Sequence, residues 1–347
     1  MTVELHDLPA IAGLRLRRLR RPADDAVIAD LVNAGNVADG IPHRLGADQV
    51  RNWLDNPSRL DLEQDLLIAE VDGTAVAYAE GGWEQDNDGG RDYAVWGQVH
   101  PDWRRRGLGT ALLRWVEERQ RVVAATHPAG IERRLESWAH EKELGRIALL
   151  EANGYQVARY DYEMERPNLD DIPDLPLPDG IELRPAREEH LRGIWETEVE
   201  VFRDHWGSVD DTEASFQRKR DDPRRDMSLW VVAWDGDQIA GQVLNRIDRE
   251  TNEKLGLKRG WVNSVGVRRA WRRRGLGRAL VAESLRVLRQ RGMTTAGLGV
   301  DAENGTGALG IYEAVGFSVA ATERVYRKPL ERPGSAPARR TSSRTSW

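Results

Sequence analysis

The chain of 347 residues carries a net charge of −6, is 40% hydrophobic and 31% charged, and contains no cysteine. This length allows two domains of about 150 residues each, and the acidic balance argues against a general nucleic-acid-binding protein. Without cysteine, the sequence excludes disulfides, zinc–thiolate sites and a cysteine nucleophile. No apolar run approaches the roughly 18–20 residues that span a membrane, and the N-terminal residues do not resemble a signal peptide. We therefore expect a cytoplasmic protein.

The predicted elements occur in the same order in two parts of the chain. The first part is predicted to contain a strand at 14–17, a helix at about 24–35, a hairpin turning at Asp72-Gly73, a strand at 93–99 and a helix at about 108–121. The second part repeats this order, with a strand at 181–184, a helix at 187–203, a hairpin turning at Asp235-Gly236, a strand at 261–267 and a helix at about 276–291. A strand, a helix and a strand close each part. This alternation predicts an α/β fold with two tandem domains, each a mixed central sheet flanked by helices.

Composition shifts divide the chain into segments. Residues 167–180 form a proline-rich acidic connector, which is typical of an extended linker. Residues 331–347 are rich in Pro, Ser, Thr and Arg with little to bury, so we expect a disordered tail. The predicted domains are therefore 1–166 and 181–330.

One heptapeptide occurs twice. Trp103–Gly109 has the sequence Trp-Arg-Arg-Arg-Gly-Leu-Gly, and Trp271–Gly277 repeats it without a change. In both copies an apolar strand precedes the arginines and a helical pattern follows the glycines. Glycine allows close backbone approach, and the first N–H groups of a helix lack internal partners at its positive end. Each copy therefore predicts a turn that binds phosphate.

This pattern resembles the acetyl-CoA signature of GNAT-type N-acetyltransferases, in which Arg/Gln-x-x-Gly-x-Gly/Ala holds the pyrophosphate of CoA. The resemblance covers both halves and implies acetyl-CoA as cosubstrate, with no metal. In the second copy it implies CoA contacts from the preceding strand, the turn and a later asparagine, namely Val265, Gly266, Val267, Arg272, Arg273, Arg274, Gly275, Leu276, Gly277, Arg278 and Asn304. It also places Tyr312 near the thioester sulfur.

The two copies differ at the position expected to donate a proton. Arg104, Gly107 and Gly109 keep the first turn intact, so the first domain retains the residues that hold CoA. Leu150, however, aligns with Tyr312, and Lys142 aligns with Asn304. We therefore expect a catalytically degenerate first domain and chemistry in the second. Tyr155, Tyr160 or Tyr162 remain alternatives for a proton donor in the first domain.

The implied reaction is direct acyl transfer to a primary amine. The amine must lose a proton to attack, and the departing thiolate must gain one. Tyr312 is the predicted general acid, and Asp301, at the end of a strand, is the predicted base, with Glu196, Glu198 or an ordered water as alternatives. Backbone N–H groups of the strand before the turn would stabilise the developing oxyanion.

The predicted acceptor is the amine of a small molecule or peptide, with no nucleic-acid or membrane partner, and the sequence indicates no oligomeric state. Candidate substrate-binding residues lie on the helix and loop after the linker and on the strand before the second turn, namely Glu196, His205, Trp206 and Asn263. The seven histidines are scattered, and no carboxylate cluster has the spacing of metal ligands.

Three alternatives to this interpretation remain. The first is a non-catalytic acyl-CoA-binding sensor or scaffold, and the second is a ribosome- or nucleic-acid-associated protein that uses the basic turns. A third, minor alternative is acetylation of a cysteinyl sugar, as in some tandem members of the family. Trp261 and Gly299 stand where those members carry polar residues, which counts against that acceptor.

Overall fold

The computed structural model describes residues 8–304 and 307–331. We call residues 8–166 the first half and residues 181–331 the second half. The first half contains β1 (Leu14–Arg18), α1 (Ala23–Asp39), α2 (Ala47–Asp55), β2 (Leu66–Val71), β3 (Thr74–Gln85), β4 (Arg91–Val99), α3 (Leu108–Ala125), β5 (Arg133–His140), α4 (Leu144–Ala152) and β6 (Gln156–Arg166).

The second half repeats this order with two extra elements between its third and fourth strands. It contains β7 (Glu182–Arg184), α5 (Leu191–Phe202), α6 (Glu213–Arg220), β8 (Trp230–Asp235), β9 (Gln238–Leu244), α7 (Arg249–Leu255), β10 (Arg259–Trp261), β11 (Gly266–Val267), α8 (Leu276–Gln290), β12 (Thr295–Asp301), α9 (Ala308–Ala314) and β13 (Ser318–Pro329). Single 3-10 turns, Pro101–Trp103 and Arg269–Trp271, come just before the two arginine–glycine turns.

The two halves exchange their last strands. The larger sheet has nine strands in the order β1-β2-β3-β4-β5-β13-β6-β12-β10, and a second sheet has the order β11-β9-β8-β7. Thus β13 of the second half pairs with β5 of the first, and β6 of the first half pairs with β12 of the second. The exchanged strands β6 and β13 also pair with each other, antiparallel, at the centre. The larger sheet is therefore built from both halves, whereas the second sheet contains strands of the second half alone.

The parallel strands of each half separate along their length. In the first half, β4 pairs with β5 only from Arg91 to Ala94, and its remaining residues pair with β3 alone. In the second half, β10 pairs with β12, and after an irregular stretch that includes Ser264 at φ 49°, the chain continues as β11 beside β9. Each separation opens a wedge beside the following helix, and these wedges lie at the two arginine–glycine turns.

Each wedge is supported by an apolar cluster of its own half. Leu112 and Val116 of α3 pack on Tyr93 and Leu135, all fully or almost fully buried. In the second half, α8 packs on its sheet in the same way through Leu280, Leu285 and Leu288. The apolar stripe of each helix therefore fixes the direction in which its first turn points.

An ionic network links β13 to the first half. Arg327 donates through Nη2 to Asp86 and Asp92, both at 2.7 Å, and through Nε to Glu136 at 2.5 Å. Arg134 binds the same two aspartates from the other side, at 2.9 and 2.7 Å. Burial is the main reason that the pKa of Asp92 is raised to about 8. The exchange therefore places buried charge from both halves in one cluster.

The predicted mixed α/β architecture is confirmed, and the sequence missed several details. The predicted strand 261–267 is wrong as a continuous element, because it divides into β10 and β11. The predicted helix 187–203 begins as a 3-10 turn, Glu188–His190, before α5. Residues 167–180 contain no helix or strand, and 332–347 of the expected tail lie outside the described residues. The domain limits 1–166 and 181–330 stay a prediction.

Candidate active site

The two arginine–glycine turns have the same backbone geometry. Gly107 and Gly275 precede α3 and α8 with φ of 83° and 85°, in the left-handed region that favours glycine. Arg105 and Arg273, two residues earlier, also have positive φ, at 62° and 61°. Both turns therefore present the unpaired N–H groups of a helix start in the same way, which suits an anionic ligand.

The side chain of the first arginine in each turn forms an ion pair with an aspartate of its own half. Nη1 and Nη2 of Arg104 donate to the two carboxylate oxygens of Asp39 at 2.7 and 2.8 Å. In the second half, Nη1 of Arg272 donates to Asp204 at 2.7 Å, and its Nε donates to the carbonyl of Val267 at 2.8 Å. These guanidinium groups fix the turn, and the backbone of the turn remains available to a ligand.

Asp204 is bound by two arginines. Hydrogen bonding from Arg269, and then from Arg272, holds the pKa of its carboxyl well below the usual range. The carboxylate is therefore ionised at any physiological pH and ties the loop after α5 to the turn. The later arginines of the turn, Arg273, Arg274 and Arg278, have exposed side chains beside the start of α8.

A cleft lies at the first turn. Its volume is about 620 Å³, and it lies between the separated strands β4 and β5 and the helices α3 and α4. Gly97 and Val99 line it from β4, and Gly107 and Gly109 line it from the turn. The first half thus has an open groove next to its phosphate-binding geometry, where the sequence predicted CoA contacts from Arg104, Gly107 and Gly109.

The strand before the second turn is tightly packed. Gly266 pairs with Gln242, and a Cβ at Gly266 would lie 3.1 Å from a methyl of Val201. Val265 and Val267 pack at the edge of the second core, and the carbonyl of Asn263 accepts from the N–H of Leu244 at 2.8 Å. At Gly277, a Cβ would make only ordinary contact, 3.6 Å from Ile311. A side chain at position 266 would therefore have to displace Val201 of α5 slightly, whereas one at 277 would not displace Ile311.

Tyr312 lies on α9 behind the second turn. Its side chain is 6% exposed, and its ring meets Phe317 edge-on with centroids 6.2 Å apart. Burial raises the pKa of its hydroxyl to about 12, so the proton is retained at neutral pH. In the first half, Leu150 is 2% exposed in the corresponding helix α4 and has no proton to give.

Asp301, the predicted base, is engaged in an ion pair across the strand exchange. Arg159 of β6 donates to both of its carboxylate oxygens, at 2.7 and 2.8 Å. The same guanidinium also reaches Glu303 at 3.0 Å. If Asp301 is the base, it accepts the proton while both of its oxygens are bonded to Arg159 of the first half.

The two candidate glutamates of α5 have different surroundings. Glu196 is exposed to solvent. Glu198 accepts a short hydrogen bond from the hydroxyl of Ser264 in the irregular stretch before β11, and it pairs with Lys219 at 2.8 Å. Glu198 is thus the glutamate that faces the separated strands of the second half.

The loop after α5 holds the other predicted acceptor residues. The ring of His205 lies 4.6 Å from that of Phe202, and partial burial lowers the pKa of His205. The Trp206 ring, 38% exposed, receives the guanidinium groups of Arg159 and Arg327 at 5.4 and 4.1 Å.

Asn87, which the sequence analysis missed, holds this loop from the first half. Its Nδ2 donates to the carbonyls of Phe202 and His205 at 3.1 and 2.9 Å. Its backbone N–H donates to the carbonyl of Gly207 at 2.9 Å. The candidate acceptor loop of the second half is therefore positioned by the β3–β4 connection of the first. No local sequence signal marks this role, because the contact spans more than a hundred residues.

Comparison with known proteins defines the class. The acetyltransferase (GNAT) family matches residues 191–317, and a GNAT acetyltransferase domain matches residues 63–157. The chain belongs to the GNAT acetyltransferase family, with two such domains in tandem. The prediction of a tandem GNAT-type acetyltransferase is confirmed.

Among curated relatives, the chain is similar to mycothiol acetyltransferase from Salinispora tropica, at 37% identity over 85% of this chain and 94% of that protein. It is 30% identical to mycothiol acetyltransferase from Geodermatophilus obscurus, over 88% and 95% of the two chains. A GCN5-related N-acetyltransferase from Sphaerobacter thermophilus aligns with TM-score 0.68 and 30% identity over 94% and 98%. A tandem GNAT protein from the clavulanic acid pathway shares the fold, with TM-score 0.65 and 18% identity over 92% and 99%.

Two other properties concern the described residues. Within them, no helix has the length and apolar character needed to cross a bilayer. Over residues 8–304 and 307–331, no three His, Asp or Glu side chains are grouped so that they could hold a metal ion.

Proposed function

We propose that the second half transfers an acetyl group from acetyl-CoA to a primary amine by direct attack. The observation that carries this proposal is the difference between Tyr312 and Leu150 behind two otherwise equivalent turns. A buried tyrosine that keeps its proton at neutral pH can supply that proton to a thiolate, and a leucine cannot. The first half then has the anion-binding geometry without this proton donor.

Acetyl-CoA suits the second turn because its pyrophosphate needs several donors at one place. The free N–H groups from Arg273 to Arg278 and the exposed arginine side chains would bind the phosphates. We assign the strand Val265–Val267 to the pantetheine arm and Asn304 to a contact beside it, by resemblance to the family. We assign Arg104, Gly107 and Gly109 the corresponding role in the first half.

The reaction needs two proton transfers. The neutral amine nitrogen attacks the thioester carbonyl, a C–N bond forms, and backbone N–H groups near β11 stabilise the oxyanion. The C–S bond then breaks, and the Tyr312 hydroxyl protonates the departing thiolate. The proton lost by the amine goes to a carboxylate or to an ordered water. Asp301 is our predicted base, and the position of Glu198 beside Ser264 makes it the second candidate.

The amine is held, in this proposal, by the side of the second half where α5 and the following loop meet the separated strands. Glu196, His205, Trp206 and Asn263 are the assigned contacts. Relatives named mycothiol acetyltransferase at 30–37% identity support a cysteinyl amino-sugar as the first amine to test. Trp261 weakens that case, since its ring covers Gly297, 3.0 Å from where a Cβ would lie, and forms an apolar wall.

The test is release of CoA thiol from acetyl-CoA in the presence of a panel of primary amines that includes a cysteinyl amino-sugar. We expect at least one amine to support turnover, and Tyr312→Phe to lower kcat by about a hundredfold with acetyl-CoA affinity within about twofold of the wild type. Tyr93→Phe is the matched control, because it removes a buried hydroxyl bonded to His127 in the first half. Acetyl-CoA binding without turnover on any amine would favour the sensor or scaffold alternative.

A further inference from the structure

Two joined cavities lie on the side of the larger sheet opposite α3, between α2, the central strands and the second half. Their volumes are about 550 and 570 Å³. Both are lined by the residues Trp53, Glu80, Trp96, His140, Glu143 and Glu323, which we use to define the central chamber. The chamber takes residues from both halves because β13 carries Glu323 next to β5.

Aromatic rings form much of the chamber wall. Trp53, Trp83, Trp96 and Trp138 line one or both cavities. The rings of Trp96 and Trp138 have centroids 6.2 Å apart at 57°. Indole faces attract organic cations, and several around one space are typical of sites for alkylammonium groups. Trp83 already has two guanidinium groups over its ring, those of Arg59 and Arg91 at 5.1 and 4.8 Å, and Trp96 has that of Arg146 at 3.9 Å. Trp53 and Trp138 are the lining indoles that have no cation of a described residue over the ring.

The carboxylates of the chamber outnumber its cations. Glu80 follows the apolar run of β3, and its Oε2 is inaccessible to water and has no hydrogen-bond partner. Glu323 is exposed within the chamber, and no described residue donates a hydrogen bond to its side chain. Of the arginines that line the two cavities, Arg218 is paired with Asp210, and Arg246 forms no ion pair with a described residue. The lining acids whose carboxylates receive neither an ion pair nor a hydrogen bond from a described residue are Glu80, Glu323 and Asp161, which lies opposite Glu323.

The remaining carboxylates have protein partners. Glu84 accepts a short hydrogen bond from the hydroxyl of Ser208 in the second half. Glu143 accepts from the N–H of His140 and from Arg146, both at 2.9 Å. Burial raises the pKa of Glu80 to about 8 and is the main cause of a pKa of about 7 at Glu84. At Glu80 burial is the sole cause, whereas at Glu84 the guanidinium groups of Arg59 and Arg218 oppose it without cancelling it.

The chamber also adjoins the first-half cleft. Trp96 and Glu143 line the cleft at the first turn as well as both cavities of the chamber. We propose that the central chamber binds an aliphatic diamine or polyamine as a polycation, with one ammonium at Glu80 and another at Glu323. The two acids account for at least two positive charges, the indoles account for the alkyl chain between them, and the combined volume exceeds that of a single ammonium group.

This site lies between the two halves, with Glu80 on β3 of the first and Glu323 on β13 of the second, and Tyr312 lines neither cavity. The proposal does not rest on the transfer reaction proposed for the second half. The test is isothermal titration of the full chain with 1,5-diaminopentane and with spermidine, without acetyl-CoA, and with 1,5-pentanediol as a neutral probe of the same length. We expect one diamine or one spermidine per chain and no heat of binding from the diol.

Substitutions of the two acids test whether the diamine binds in the chamber. Glu80→Gln and Glu323→Gln keep the shape of the side chain, and each should weaken diamine binding by about tenfold or more, the usual loss for a charge-assisted hydrogen bond. Glu63→Gln, at an exposed carboxylate outside the chamber, should change it by less than about twofold. Thermal melts of each variant establish that it is folded.

Tyr312→Phe separates this proposal from the proposed reaction. Diamine binding unchanged in Tyr312→Phe, whatever the turnover, supports a separate site in the chamber. Equal affinity in the wild type and in folded Glu80→Gln overturns the proposal. Binding lost in Tyr312→Phe and kept in Glu80→Gln also overturns it, because the diamine would then occupy the second-half site.

Discussion

Asp161 of β6 lies directly opposite Glu323 of β13 in the antiparallel ladder at the centre of the strand exchange. The same row continues to His140 on one side and to Asp301 on the other. Burial is the largest cause of the raised pKa values of Asp161 and Glu323, and the neighbouring carboxylates raise both further. Like charges directly opposite in a sheet are destabilising. The row is therefore a cost to folding that a bound cation would relieve.

Glu323→Gln should stabilise the protein above neutral pH. Folding raises the pKa of Glu323 above its value of about 4.5 in the unfolded chain. Above pH 4.5 the unfolded chain therefore loses this proton more readily than the folded protein does, and the free energy of unfolding falls as the pH rises. We expect a gain of about 0.5 kcal/mol at pH 8 and none at pH 4.5, measured by urea unfolding at both pH values. Glu63→Gln should show no such gain. A Glu323→Gln variant that is less stable than the wild type at pH 8 would contradict the assignment of repulsion.

Gly275→Ala should destabilise the second half and weaken acetyl-CoA binding. The alanine would have to adopt φ of 85°, which costs about 1–2 kcal/mol. Gly310→Ala is the matched control, since Gly310 lies inside α9 where a Cβ would meet nothing within 4 Å. Replacing a helical glycine by alanine should stabilise by about 0.5–1 kcal/mol. Chemical unfolding and titration with acetyl-CoA measure the two effects, and equal stability of the two variants would refute the role of the left-handed turn.

The features that depend on residues close together in the chain could be predicted from the sequence. The repeated Arg-Arg-Arg-Gly-Leu-Gly leads into an apolar helical stripe, and both copies fold to the same turn with Gly107 and Gly275 left-handed. The sequence also showed that the two copies differ where Leu150 aligns with Tyr312. The catalytic role assigned to Tyr312 stays a prediction. The helix starts, the hairpins and the order of elements follow from such short-range patterns.

The strand exchange could not be predicted in this way. Val325 and Tyr326 give β13 the same buried pattern whichever half supplies its neighbours, so periodicity says nothing about the partner strand. The contacts that depend on the exchange are equally invisible in the sequence. Arg159 and Asp301 are separated by 142 residues, and Asn87 reaches across 115 or more to the loop after α5.

Arg327→Met should destabilise the protein strongly. The substitution leaves Asp86, Asp92 and Glu136 with fewer compensating charges in a buried cluster, where removing one partner typically costs about 3–5 kcal/mol. Arg220→Met is the control, because Arg220 and Asp221 form an exposed pair, whose loss should leave the stability nearly unchanged. Guanidinium unfolding at pH 7.5 measures both. A loss below about 1 kcal/mol in Arg327→Met would show that Arg134 alone neutralises the cluster.

Diamine affinity should rise with pH up to about 8. Glu80, with a pKa of about 8, must lose its proton to bind an ammonium, so binding releases a proton below that pH. The acidic and basic side chains that line the same two cavities come from both halves. They are His43, Glu84 on the same strand, His140 at the end of β5, Glu143, Asp161, Glu163, Asp210, Arg218, Arg246 and Glu323. Arg146 is bonded to Glu143. Titrations at pH 6 and 8, in buffers of different ionisation enthalpy, measure the released proton.

The Glu80→Gln variant is the control for this pH dependence. Its residual diamine binding should vary less between pH 6 and 8 than that of the wild type, and should release fewer protons. If the wild type and Glu80→Gln gain affinity equally with pH, then the proton comes from another group, and Glu80 is not the ammonium partner.

The exchanged strands also bear on how the protein is made. During synthesis the first half leaves the ribosome with β5 and β6 complete, but β13, which lies between them, follows more than 150 residues later. Until then the two strands have no neighbour at the place where β13 belongs, and unpaired strand edges are prone to aggregation. The first half therefore cannot reach its native sheet on its own as it emerges, and its final folding has to wait for the second.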